Sequence, residues 1–191
     1  MNYYIGIDLG TSSMKLLMVD GEGTIHNTVT KEYPLEFPAP GWKPLTFMQH
    51  PTATSCAPGR DAIYASDESV LTWWQPAEDD IEPCITFRLG HATRYSLRAL
   101  RLIWRDIGME TRKGIYPGPF RYIAEYSPVP ELDRWETLID ASENTEDLCI
   151  DYRELNGEPA YGIRLRILGA PEGITPGLVS LTTFGTCISE K

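Results

Sequence analysis

Two parts of the chain carry residues whose types and spacing suit binding chemistry, and the first part is close to the N-terminus. Asp8 and Gly10 precede Thr11, and Lys15 follows four residues later. A glycine lets the backbone approach a phosphate closely, turn amides and hydroxyls donate to that phosphate, and a carboxylate can hold a magnesium-bound water. These residues therefore predict a phosphate-binding turn between two strands, although a motif this short has low specificity by itself.

The second part of the chain carries side chains of the kind that bind sugars. A sugar presents C–H faces and hydroxyl edges, so its site needs an exposed aromatic ring beside planar hydrogen-bonding groups. An aromatic pair at residues 73–74 and a long segment between two predicted strands, residues 105–120, have this chemistry. Long loops on a rigid sheet scaffold commonly carry binding residues. The predicted carbohydrate-binding residues are Trp73, Arg105, Asp106, Arg112 and Tyr116.

Each aromatic and charged residue of this set also has a purely structural interpretation. Trp73 and Tyr116 suit a binding platform and a buried position about equally well. Arg105 and Asp106 could simply form a solvated ion pair with each other. Trp74 and Trp104 are predicted to be core residues, and the position of Trp104 follows from the strand face that it shares with Leu100 and Leu102.

No group of residues has the pattern of a catalytic centre. Paired carboxylates can hydrolyse glycosides, but the acidic runs at residues 78–82 and 143–147 lie in turn-rich polar segments that are typical of solvated surface. His26, His50 and His91 stand near no recognisable Ser or Cys nucleophile motif. We therefore predict no catalytic residues, and we expect no enzymatic activity from this chain.

Composition and charge exclude several classes of partner. The chain has 191 residues and a formal net charge of -10, which disfavours contacts with a phosphate backbone and so argues against a nucleic-acid partner. No stretch of about eighteen consecutive apolar residues is present, so no membrane partner is predicted. The N-terminus has no basic region followed by an apolar one. We expect a cytoplasmic protein with reduced thiols at its four cysteines.

The phosphate-type residues are predicted to lie on a small antiparallel sheet. Residues 3–10, 13–20 and 24–33 have the apolar and alternating patterns of three strands, with a tight turn at residues 21–23. Pro34, Pro38 and Pro40 then break any regular element. The first 43 residues are therefore predicted to form a three-strand β meander.

Period-two alternation dominates the chain from about residue 50 onward. Apolar and polar residues alternate in successive short runs, with turn signals between them and no sustained helical period. The clearest runs are residues 85–89, 100–105, 120–126 and 161–168. This pattern predicts an all-β fold, an antiparallel sandwich or jelly roll.

The N-terminal segment resembles the start of sugar kinases of the FGGY family, xylulokinases in particular, which have the actin-like ATPase fold. The resemblance rests on residues 5–15, on Val19 and Asp20, and on residues 33–42. It implies that Asp8, Gly10, Thr11 and Lys15 come from a nucleotide-phosphate loop, with ATP and magnesium as cofactors. Phosphoryl transfer depends on electrostatic clamping from several elements at once. We therefore interpret the segment as a truncated, vestigial piece of such a kinase.

The larger part of the chain resembles the discoidin (F5/8 type C) family, which has a galactose-binding-like jelly roll and is common as a carbohydrate-binding module on glycoside hydrolases. The segments that carry the resemblance are residues 52–56, 65–74, 85–90, 99–105, 122–127, 135–138, 161–167 and 178–185. One departure is Arg88, which stands where the family has Asp before Leu-Gly.

The same resemblance raises the question of a structural calcium ion. Many members hold one with an Ala-x-Asp-Gly loop and a glutamate of the last strand. Asp67, Ser69 and Thr72 could supply the loop oxygens here, but the glutamate position falls on Ser180, which removes one hard ligand. Calcium binding therefore stays open at this point, and no other cofactor is expected outside the kinase alternative.

These observations lead to one main hypothesis and one alternative. Residues 50–187 are predicted to form a non-catalytic module that binds an oligosaccharide or polysaccharide, after a kinase-like fragment at residues 1–43 and a junction at residues 44–49, with a tail at residues 188–191. The alternative is an FGGY-type kinase fragment that phosphorylates a pentulose with ATP. A purely structural or protein-interaction domain is a third interpretation.

Overall fold

The structure is a computed structural model, and it describes residues 2–9, 13–32, 39–90, 93–105, 119–146, 148, 150–171 and 173–188. The chain divides into two compact units, residues 1–40 and 41–191. The division falls between Pro40 and Gly41, three residues before the boundary that we set from the sequence.

The smaller unit is the expected three-stranded antiparallel meander. Strands β1 (Tyr3–Leu9), β2 (Ser13–Asp20) and β3 (Ile25–Glu32) pair in chain order. Asp20 shapes the turn after β2, because its Oδ1 accepts from the backbone N–H groups of Glu22 and Thr24 at 2.9 and 3.0 Å. Gly23 adopts a φ of 85°, which glycine reaches without steric cost.

The meander has little core of its own. Six large apolar side chains are at least half exposed, and they come from β1 and β3: Tyr3, Tyr4, Ile5, Ile7, Ile25 and Val29. A few paired strands without a buried face gain little hydrophobic stabilisation, so a sheet of this kind is marginally stable by itself.

The larger unit is built from two five-stranded sheets, as expected for a jelly roll. Its strands are β4 (Lys43–Pro44), β5 (Thr52–Ala53), β6 (Cys84–Arg88), β7 (Arg94–Trp104), β8 (Arg121–Ser127), β9 (Glu136–Ala141), β10 (Ile150–Glu154), β11 (Pro159–Ala160), β12 (Gly162–Gly169) and β13 (Leu178–Ile188). The β7–β13 sheet has the order β10-β7-β13-β4, and β11 also pairs with β7. The β6–β12 sheet has the order β5-β6-β12-β8-β9. All the described pairings are antiparallel.

Alternation along the strands puts the core between these two sheets. Ile85 and Phe87 of β6, and Leu100 and Leu102 of β7, are buried with at most 1% of their surface exposed. Trp104 stacks on Phe120 with ring centroids 4.5 Å apart. The burial of Trp74 and Trp104 confirms their predicted core positions. The period-two pattern thus identified the inward residues of β6, of β12 and of the second half of β7 correctly.

The segment that we had interpreted as a junction, residues 44–49, belongs to the larger unit. Pro44 of β4 pairs with Phe184 of β13, and the backbone N–H of Leu45 donates to the carbonyl of Thr183 at 2.7 Å. The hydroxyl of Thr46 donates to the carbonyl of Leu181 at 2.7 Å. Strand β4 has only two residues, which is too short for an alternating pattern to show in the sequence.

Three of the four cysteines fall in the described part of the chain, and Cys56, Cys84 and Cys187 are free thiols there. Burial raises the pKa of the Cys84 thiol above its ordinary value. In the described ranges, no helix has the length and apolar character needed to cross a membrane.

Candidate functional site

The site region begins with two adjacent tryptophans that point in opposite directions. Trp74 forms an isolated bridge with Leu178, is fully buried, and donates from its indole Nε1 to the carbonyl of Ser55 at 3.0 Å. Because successive side chains of an extended segment alternate, Trp73 lies on the outer side, where it is partly exposed. The buried neighbour therefore fixes the position of the outer ring.

Two arginines lie over the ring of Trp73. Arg60 Cζ is 3.3 Å from the ring centroid, and Arg105 Cζ is 5.0 Å from it. Both distances are within the range of cation–π attraction. The indole Nε1 of Trp73 also donates to Gln75 Oε1 at 3.4 Å. We call this group of three side chains the Arg60–Trp73–Arg105 cluster.

The backbone around each arginine is held by neighbouring segments. The N–H of Arg105 donates to the carbonyl of Gly177 at 2.7 Å, and the N–H of Arg60 donates to the carbonyl of Ala57 at 2.9 Å. Among the described residues, the ion pairs within 4.0 Å include neither Arg60 nor Arg105. Within the described part of the chain, neither guanidinium group is neutralised by a carboxylate.

A short polar network fixes the loop that precedes the tryptophans. Asp80 Oδ2 accepts from the hydroxyls of Ser55 and Thr54 at 2.5 and 2.6 Å, and the backbone N–H of Ala77 donates to Ser55 Oγ at 3.0 Å. The two hydroxyl donors, Ser55 first, hold the pKa of the Asp80 carboxyl below its ordinary value. An ionised Asp80 therefore ties the segment around residue 55 to the acidic run at residues 78–82.

The predicted carbohydrate-binding residues are described only in part. The structure brings Trp73 and Arg105 together, whereas Asp106, Arg112 and Tyr116 lie outside the described residues. Arg60 was missed from the sequence, because a single arginine after a Pro-Gly turn has no pattern that sets it apart from a surface charge. Trp73 also differs from an open platform, since a guanidinium lies directly over its ring.

The three predicted metal ligands, Asp67, Ser69 and Thr72, do come together in one loop. Asp67 Oδ1 accepts from the backbone N–H of Ser69 at 2.9 Å, and Asp67 Oδ2 accepts from the hydroxyl of Thr72 at 2.7 Å. Both oxygens of the only carboxylate in the set are thus used within the loop. In the described part of the chain, no group of three His, Cys, Asp or Glu residues is placed to hold a metal ion.

Glu68 makes the contacts that tie this loop to the last strand. Its carboxylate pairs with Arg101 and accepts from the hydroxyls of Ser180 and Thr182 at 3.0 and 2.5 Å. A guanidinium therefore already neutralises the one other carboxylate close to Asp67 in sequence. Calcium takes six to eight oxygen ligands, and the described donors of this loop do not fit that requirement.

The predicted nucleotide-phosphate residues are also described only in part. Asp8 and Lys15 occupy directly paired positions on β1 and β2, and the side chain of Lys15 is exposed. Gly10 and Thr11 lie outside the described residues, and the side chain of Asp8 is not described either. The register places the ends of the expected turn side by side, as the sequence pattern indicated.

Comparison of the fold and comparison of the sequence match this chain to different kinds of protein. No family model matches the chain. The fold is similar to chitosan-binding module 1 of a chitosanase/glucanase from Paenibacillus sp. IK-5, with a TM-score of 0.61 and 21% identity, over 75% of this chain and 99% of that one. It is also similar to the module CpGH89CBM32-6 of Clostridium perfringens, with a TM-score of 0.56 and 16% identity, over 75% and 99% of the two chains.

A third solved structure is chitosan-binding module 2 of the Paenibacillus enzyme in complex with chitotriose, with a TM-score of 0.57 and 19% identity, over 73% of this chain and 98% of that one. Identities at this level show a shared fold. These likenesses confirm the predicted galactose-binding-like jelly roll, which in these neighbours belongs to carbohydrate-binding modules of glycoside hydrolases.

A separate sequence match covers 40 residues. The chain is 45% identical over this stretch to a glycerol kinase of Herminiimonas arsenicoxydans and 42% identical to one of Janthinobacterium sp. (strain Marseille). The match spans 21% of this chain and only 8% of each kinase.

Proposed function

We propose that the larger unit is a non-catalytic carbohydrate-binding module, and that the Arg60–Trp73–Arg105 cluster is its oligosaccharide site. The observation that carries the proposal is this cluster of two arginines and an indole, placed at a loop end of a fold whose neighbours are sugar-binding modules. Trp73 holds the guanidinium groups in place, and their N–H edges donate to the hydroxyls or carboxylates of the sugar.

The positive charge of the Arg60–Trp73–Arg105 cluster favours some classes of sugar over others. Chitosan is a polycation, and two arginines that have no described carboxylate partner repel its ammonium groups at contact distance. The net charge of -10 acts over longer distances, where salt screens it within about 10 Å. We therefore propose that the ligand is a neutral or acidic plant-type oligosaccharide, xylan- or galacturonan-derived, rather than chitosan.

Isothermal titration of the whole chain with xylo-, galacturono- and chito-oligosaccharides tests the proposal. We expect one of the first two classes to bind, and we expect Trp73→Ala and Arg60→Gln each to weaken binding at least about tenfold, because each change removes a charge-assisted contact or its support. Arg134→Gln, on an exposed loop residue whose partner is Glu136, is the matched control and should leave the affinity unchanged. Binding of all three classes that is insensitive to Trp73→Ala would overturn the assignment.

The kinase alternative has the 40-residue match in its favour. Phosphoryl transfer requires a nucleotide clamp and a positioned nucleophile from several elements, and this chain spans 8% of the matched kinases. We propose that residues 1–40 have no pentulose kinase activity and that ATP and magnesium are not cofactors of this chain.

A further inference from the structure

A second cleft lies on the outward face of the β6–β12 sheet. It has a volume of about 410 Å³, and its walls come from the segment before β5, from β6 and from the loop after β8. A volume of this size is at the lower end of the range for small-molecule sites. The lining residues used below are Gln49, His50, Thr52, Thr86, Arg88 and Leu132.

Strand register puts three of these side chains on the same face. Thr52 of β5 is paired with Thr86 of β6, so both hydroxyls project from one side of the sheet. Arg88 follows two residues after Thr86 and shares that side, because Ile85 and Phe87 between them face the core. The cleft therefore has two neighbouring hydroxyls and one guanidinium along its floor.

The opposite wall is held in place by the loop after β8. Arg88 Nη1 donates to the carbonyl of Pro130 at 2.5 Å, which fixes this loop against β6. Leu132 has a φ of 60° and packs over Gly162 so closely that a Cβ there would lie 2.7 Å from Leu132 Cδ2. This wall is preorganised, because both the backbone and the glycine beneath it are adapted to the position of Leu132.

Much of the hydrogen-bonding capacity of the cleft is unused. Within the described residues, the side chains of Gln49, His50 and Thr52 have no hydrogen-bond partner, and Arg88 makes only the bond to Pro130. No carboxylate lines the cleft, and the described ion pairs do not include Arg88. A guanidinium without a carboxylate partner is complementary to an anion, and the surrounding amide and hydroxyls are complementary to a polyol.

We propose that this cleft binds a hydroxylated carboxylate of monosaccharide size, a uronic acid. Arg88 receives the carboxylate, while Gln49, Thr52 and Thr86 bind the ring hydroxyls and Leu132 contacts a C–H face of the sugar. This second site is separate from the Arg60–Trp73–Arg105 cluster, and the proposal for it does not depend on the function proposed for the cluster. None of the cluster residues lines the cleft.

Amide NMR titration of the whole chain with galacturonate, galactose and acetate tests the proposal. We expect galacturonate to shift the amide resonances of residues 49, 50, 52, 86–90 and 132, whether or not the indole signal of Trp73 also moves. Galactose lacks the carboxylate and acetate lacks the hydroxyls, so each should bind at least about tenfold more weakly than galacturonate.

Three variants locate the binding. Gln49→Glu keeps the shape of the side chain but adds a negative charge, so we expect it to weaken galacturonate binding at least about tenfold. Arg88→Gln should also weaken galacturonate binding at least about tenfold. If the loss of the bond to Pro130 prevents this variant from folding, Gln49→Glu still tests the site. Arg166→Gln, on the same outward face but outside the cleft, should have no effect.

Four results would overturn the proposal. The first is the absence of galacturonate binding, the second is galacturonate binding that Gln49→Glu leaves unchanged, and the third is binding of galactose or acetate as tight as that of galacturonate. Shifts confined to Trp73 and its neighbours would also overturn it and would assign the acid to the first site instead.

Discussion

The hydroxyl of Tyr122 joins the two sheets of the larger unit through a buried hydrogen bond. Tyr122 is on β8, and its hydroxyl donates to Asp151 Oδ2 on β10 at 2.7 Å. Arg153 donates to both oxygens of the same carboxylate, at 2.6 and 3.2 Å. Burial and the Asp151 carboxylate raise the pKa of Tyr122 well above its ordinary value, so the phenol remains a donor at neutral pH.

Tyr122→Phe should lower the free energy of unfolding by about 1–3 kcal/mol, because it leaves a buried carboxylate oxygen with fewer donors while the ring still fills its place in the core. Urea denaturation of both proteins measures the difference. Tyr152→Phe is the matched control, since Tyr152 is next to Asp151 on β10 but is 42% exposed. Equal losses of unfolding free energy in Tyr122→Phe and Tyr152→Phe would show that the hydrogen bond between Tyr122 and Asp151 does not stabilise the fold.

At the residue scale, sequence reasoning succeeded where one neighbour decides burial and failed where partners come from far along the chain. Trp104 was predicted correctly because Leu100 and Leu102 share its strand face. The contact of Arg60 with Trp73 could not be predicted, because it depends on two loops that meet only after folding. The same holds for Tyr122 and Asp151, which are 29 residues apart and belong to different sheets.

Among the elements, the loop at residues 66–72 is held by a network of side-chain contacts. Glu68 has a φ of 57°, a left-handed conformation that is costly for any residue with a Cβ. Its contacts with Arg101, Ser180 and Thr182 hold this conformation and connect the loop to β7 and β13. The loop is therefore closed by the chain's own charges.

Glu68→Ala should lower the free energy of unfolding by about 1 kcal/mol, a modest effect because the ion pair with Arg101 is partly exposed. In the unaltered protein, we expect neither calcium nor a chelator to shift the melting temperature, since Asp67 and Glu68 already have partners. Thermal denaturation in the two solutions measures this. A clear stabilisation by calcium would show that the loop rearranges to bind the ion.

Sequence patterns predicted the long strands of the larger unit better than the short ones. Alternation is clear in β6 and β12, where the inward side chains of Ile85, Phe87, Ile163, Leu165 and Ile167 are apolar. Strand β10 has Asp151 buried and Ile150 exposed, which reverses the usual pattern. Strands β4, β5 and β11 have two residues each, too few to show a period.

For the whole molecule, the division into two units predicts that they contribute unequally to stability. The apolar side chains of the smaller unit are largely exposed, whereas the larger unit has a continuous core. We expect a shortened chain, residues 41–191, to melt within about 2 °C of the whole chain, a difference of less than about 1 kcal/mol. Thermal denaturation of both proteins measures this.

Oligosaccharide titration of the shortened chain is the second readout. We expect an affinity equal to that of the whole chain, because the residues proposed for both sites lie within residues 41–191. A shortened chain that fails to fold, or that melts far below the whole chain, would show that the meander is part of the folded core. At this scale, the change of pattern at about residue 50 indicated two unlike parts from the sequence, and the structure divides the chain between residues 40 and 41.

The pairing of β4 with β13 has a consequence for how the larger unit can be used. Its first and last strands are direct neighbours in one sheet, with Pro44 opposite Phe184, and adjacent strands are only about 5 Å apart. A domain whose ends are this close can be spliced into a surface turn of a host protein without stretching either connection. For the same reason its ends could be fused by a short linker and the chain reopened at another turn, to give a circular permutant.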